Sequence, residues 1–62
     1  MMIKTYSCDV TLYFNGQPNV TKFIDRARDV EHAINLAKLD AQAKGWDLKK
    51  LSEVHTSGGK YG

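Results

Sequence analysis

Over residues 3–14 the chain alternates: Tyr6, Cys8, Val10, Leu12 and Phe14 share one parity, and Thr5, Ser7, Asp9, Thr11 and Tyr13 share the other. A period of two with β-branched and aromatic residues predicts a half-buried strand. Asn15-Gly16-Gln17-Pro18-Asn19 is turn chemistry, because glycine accepts positive φ and proline is excluded from a central ladder. A second strand is expected over 20–27, antiparallel to the first because a short loop permits only a hairpin. Phe23 and Ile24 are adjacent and must face opposite sides. With Phe23 and Ala27 inward, Lys22, Ile24 and Arg26 line the outer face.

The period then changes. Asp29 is a good N-cap, and Glu31 follows in the first turn, where the helix dipole favours a carboxylate. The pattern predicts a helix over 30–44, stopped by Gly45. Val30, Ala33, Ile34, Ala37 and Ala41 gather on one stripe, mostly small residues that let a helix lie close on a sheet. His32, Leu36, Leu39 and Ala43 gather roughly opposite. That second stripe reads either as the edge of the core or as an exposed contact patch or dimer seam.

Trp46-Asp47-Leu48 is expected to open a third strand ending near His55, with a bulge or a short helical turn around Lys49-Lys50 because Leu51 breaks the alternation. The sum is an α+β fold: a three-stranded, mainly antiparallel sheet with one helix on one face, in the order ββαβ. Residues 1–56 form a single small domain, and 57–62, with three glycines, read as a flexible tail. The expected core is Tyr6, Val10, Leu12, Phe23, Val30, Ala33, Ile34, Ala37, Ala41, Trp46 and Leu48.

Size and composition narrow the function. A chain of 62 residues buries only about 60% of the surface its unfolded form exposes. One core of that size supplies ~3–5 kcal/mol. The apolar fraction of 42% and the charged fraction of 26% suit an ordinary globular domain. A net charge of +2 permits contact with nucleic acid but falls short of a strongly basic footprint. The single cysteine, Cys8, makes no internal disulfide, and a free thiol suits the cytoplasm. No apolar run approaches the ~20 residues needed to cross a bilayer, so no membrane partner is expected.

Catalysis is poorly supported. His32 and His55 are the only histidines, Cys8 lies on an inward face, and the aspartates lack the spacing of a metal site or an acid–base pair. Gly58-Gly59-Lys60 has no following helix to make it a phosphate loop. The expectation is a non-enzyme with no catalytic residue, no metal and no cofactor.

The cationic residues carry more. Lys22, Arg26 and Arg28 fall on or after the second strand, and Lys49 and Lys50 in the third. Together with Tyr13 and Ile24 they read either as a solvated polar face or as one partner-binding surface on the helix-free side of the sheet. His32, Leu36 and Leu39 form the candidate dimer or contact stripe. Arginine among aromatics is the composition enriched at protein interfaces. The same cations could instead hold phosphates, which leaves a small nucleic-acid-binding module as the alternative.

The stretch "ARDVEHAINLAKLDAQAKGWDLKKL", residues 27–51, resembles small bacteriophage-encoded inhibitors of bacterial RNA polymerase of the T-odd coliphage type. Ala27, Ala33, Leu36, Ala37, Gly45, Trp46, Leu48 and Lys50 fall where that pattern places them. In that family, arginines on the last strand contact the polymerase. Lys50 matches one such position, and Ser52 occupies the other. The resemblance implies a small phage protein of host takeover or anti-defence. It would act in the host bacterial cytoplasm by occupying a surface of RNA polymerase or a defence nuclease complex.

Overall fold

The computed structural model describes residues 4–62. Strands β1 (Tyr6–Phe14) and β2 (Gln17–Ala27), helix α1 (Val30–Ala43), a single 3₁₀ turn (Leu48–Lys50) and strand β3 (Leu51–Tyr61) follow in that order. The antiparallel sheet has the order β2-β1-β3, with the helix on one face. The ββαβ architecture predicted from the pattern is thus the one observed. The expected start of the first strand at Ile3 lies outside the described residues.

Asn15 and Gly16 both take positive φ, 56° and 76°. That pair of angles makes a two-residue loop whose twist matches the flanking strands. The turn is therefore shorter than expected, and β2 begins at Gln17 rather than Val20. Pro18 is tolerated because β2 is an edge strand.

From that turn, regular pairing would set Phe23 opposite Cys8. Instead Tyr13 pairs with Pro18 and Leu12 with Val20, leaving Asn19 as an extra residue. One inserted residue moves every following side chain to the other face. Ile24 is consequently opposite Cys8 and buried, while Phe23 is 58% exposed. This corrects the expectation that Phe23 is core and Ile24 is surface. A second irregularity before Ala27, which pairs with Tyr6, turns Ala27 back inward.

The core consists of Cys8, Val10, Leu12 and Phe14 from β1, Ile24 and Ala27 from β2, and Ala33, Ala37 and Ala41 from α1. The three alanines recur every four residues and have no exposed surface, so the helix backbone lies close on the sheet. Asp29 caps α1, its Oδ1 accepting the His32 N–H at 2.8 Å. At the other end Trp46 N–H donates to Ala41 C=O and Gly45 N–H to Gln42 C=O, with Gly45 at φ 96°. These bonds close the orphan carbonyls of the last turn. Trp46 then stacks on Phe14, ring centroids 4.7 Å apart. Tyr6, Ile34, Trp46 and Leu48 are only partly buried and pack against the core's margin. Val30, expected inside, is 40% exposed because it opens the helix at an uncovered end.

β3 differs most from expectation. It begins at Leu51, after the 3₁₀ turn that Asp47 caps by accepting the Lys49 N–H, and it runs through Tyr61. The residues read as a flexible tail pair with β1: Tyr6 with Tyr61 and Ser7 with Lys60. Gly58 takes φ 67° at a register shift, and a Cβ on Gly59 would run into the Tyr6 hydroxyl. The two glycines that suggest mobility instead make a bulge over which the Tyr6 ring lies, edge-on to Tyr61 at 5.0 Å. Gly62 N–H donates to Thr5 C=O at 2.9 Å and closes the ladder.

Candidate interaction surface

One helix covers one side of the sheet and leaves the other open. Across the open face, β1 presents Ser7, Asp9, Thr11 and Tyr13, β2 presents Thr21 and Phe23, and β3 presents Glu53, His55, Ser57 and Lys60. Thr11 and Thr21 share a hydroxyl hydrogen bond of 3.3 Å across the β1–β2 pair. Tyr13 lies against the His55 ring, centroids 4.7 Å apart, and His55 Nε2 meets Glu53 Oε2 at 2.8 Å. The result is a three-strand platform of aromatic rings and hydroxyls that carries carboxylates along it and Lys60 at one end.

Of the residues predicted for this face, Tyr13 is there. Ile24 is not: it is 7% exposed and belongs to the core. Lys22 pairs with the buried Val10 and so points to the helix side, where its Nζ is 3.6 Å from Asp40 Oδ1. Lys44 Nζ sits 3.1 Å from the other oxygen. Hydrogen bonding from Lys44, with the charges of Lys22 and Lys44, holds the Asp40 carboxyl below its ordinary value of 3.8 despite a partly opposing desolvation.

The remaining cations do not form one patch. Arg26 and Arg28 lie at the end of the sheet where Ala27 pairs with Tyr6, while Lys49 and Lys50 precede Leu51, which pairs with Phe14 at the opposite end. Eight residue steps of β1 separate the two ends, about 26 Å at strand spacing. Ser52 is engaged within the fold. Its hydroxyl donates to Tyr13 C=O and accepts the Gly16 N–H, each at 3.0 Å, tying β3 to the hairpin turn.

On the helix, Leu39 is 61% exposed, and His32 and Leu36 are half-buried. His32 Nδ1 accepts the Arg28 N–H at 2.9 Å, which places the ring proton of the neutral form on Nε2. The Cys8 thiol is fully buried, and burial, then the nearby Asp9 charge, pushes its pKa up, so the reactive thiolate is disfavoured. Among the described residues no three histidine, cysteine or carboxylate side chains converge as a metal site, and no helix is long and apolar enough to cross a membrane.

Tyr13 is the one residue of the open face that the sequence pattern singled out as a contact; Phe23, His55 and Glu53 are among those it did not. The Asn15-Gly16 dipeptide fixes the hairpin register at its start, but the extra residue at Asn19 then carries Phe23 outward, and a bulge leaves little signature in composition. Comparisons with protein-family models, with curated proteins and with solved structures return no match to the chain.

Proposed function

We propose that the chain is a small, non-catalytic protein-binding inhibitor of phage origin that acts in the bacterial cytoplasm by occupying a surface of a host machine, RNA polymerase or a defence nuclease complex. The observation that carries this reading is the open sheet face, where Tyr13 and the 58%-exposed Phe23 stand among polar side chains. Aromatic anchors set in a polar surround are the usual composition of a protein-binding centre. A nucleic-acid module is supported less well. Asp9 and Glu53 lie on the same face, Lys22 is tied to Asp40, and Arg26 and Arg28 lie at the opposite end of the sheet from Lys49 and Lys50.

Binding of purified bacterial RNA polymerase, and capture of host complexes from nuclease-treated lysate, test the reading. The expected complex survives a rise from ~50 to ~200 mM salt, where a phosphate-dominated contact would lose affinity by orders of magnitude. Binding to DNA or RNA alone, abolished over that range, would favour the nucleic-acid module instead.

A further inference from the structure

β3 is an edge strand of 11 residues, and such an edge presents unpaired N–H and C=O groups to whatever can pair with them. The other edge, β2, is blunted by Pro18 and by the irregularities at Asn19 and before Ala27. β3 contains no proline, and its pairing with β1 is regular from Glu53 to Ser57, between its two register shifts. No charged side chain in that stretch points to the helix side, where Val54 lies opposite Leu12 and Thr56 opposite Val10. α1 lies over β1 and β2 and reaches β3 only slightly, so Val54 remains half-buried.

The stretch is also complementary to itself. Antiparallel pairing of two copies about Val54 sets Val54 on Val54 of the second copy and Glu53 opposite its His55, twice by symmetry. Within one chain Glu53 Oε2 already meets His55 Nε2 at 2.8 Å, so the pairing joins two such pairs side by side. We infer that two copies of this chain associate edge to edge through β3, about a two-fold axis at Val54, to form one continuous sheet. The apolar side of that seam covers the half-exposed Val54, and the open faces of the two copies merge into a single platform. This association is independent of the host-protein reading and uses a different surface from the Leu39 stripe.

Sedimentation velocity of the full chain over a concentration series, paired with amide hydrogen exchange, tests it. The expected result is a dimer of the 7.0 kDa chain. Alternate amides within residues 52–57 should gain protection as concentration rises, and the outer amides of β2 should not. Glu53→Lys is expected to weaken the dimer ~10-fold while leaving the melting temperature unchanged at concentrations where both chains are monomeric, and adding His55→Glu to restore it by reversing the pair. A chain that stays monomeric up to ~1 mM overturns the inference. So does a dimer that Leu39→Glu dissociates and Glu53→Lys leaves intact.

Discussion

Phe23 and Ile24 are neighbours of similar size, yet their side chains meet opposite environments, and stability should separate them. Ile24→Ala removes buried methyl groups beside Cys8 and should cost ~2–4 kcal/mol. Phe23→Ala changes a side chain already 58% exposed and should stay within ~0.5 kcal/mol. Denaturant melts of the two variants check the assignment, and reversed costs would place the Asn19 bulge wrongly. Gly59→Ala is a third probe. A methyl there meets the Tyr6 ring, so the ring or β3 must shift, at ~1–3 kcal/mol. If residues 57–62 were a loose tail, the same substitution would be neutral. Leu39→Glu should leave the fold intact because Leu39 is 61% exposed, whereas Leu36→Glu, half-buried against the core, should lower the melting temperature.

At the scale of elements, the helix was the most legible part of the chain. Its Asp29 cap, its Gly45 stop and its stripe of Ala33, Ala37 and Ala41 are all local signals, and local signals survive folding. β1 is next in clarity because a central strand buries one whole face. β2 and β3 were read less well because their registers depend on extra residues at Asn19, at Ser52 and around Gly58. Those residues are chosen by contacts distant in sequence, such as the Ser52 hydroxyl on the hairpin turn and the Tyr6 ring over Gly59. The predicted basic face failed partly for the same reason: a slip of one residue puts Lys22 on the helix side and Ile24 in the core, while Lys49 and Lys50 lie at the opposite end of the sheet from the arginines.

The Lys22–Asp40–Lys44 cluster that results joins β2 to α1 and carries its own pH dependence. Asp40 has a lower pKa folded than its ordinary 3.8, so the unfolded chain binds more protons in that range. Its stabilisation is therefore present above about pH 4 and is lost as pH falls through the folded value. Asp40→Asn should melt below wild type at neutral pH, and the two curves should converge in acid. Curves that coincide at neutral pH, or that stay equally offset down to about pH 2, would mean that the ionised Asp40 carboxylate adds nothing to stability.

The whole molecule is an elongated slab, 41 × 20 × 14 Å, with strands that outrun the helix covering them. Its 14-residue helix spans about 21 Å, and β3 alone is longer than that at ~3.3 Å per residue. So thin a body has little room to enclose a substrate, and its broadest feature is the open face of the sheet. On the proposed reading the protein acts by covering a partner with that face, which makes Tyr13 and Phe23 the residues on which function should depend more than stability does. The Tyr13→Ala/Phe23→Ala double variant separates the two: it is compared with wild type in capture from nuclease-treated bacterial lysate at ~200 mM salt. Wild type is expected to retain a host protein complex, RNA polymerase or a defence nuclease, and the equally folded variant to retain none. Equal capture by both, or no nuclease-resistant capture by wild type, would refute binding through the open face.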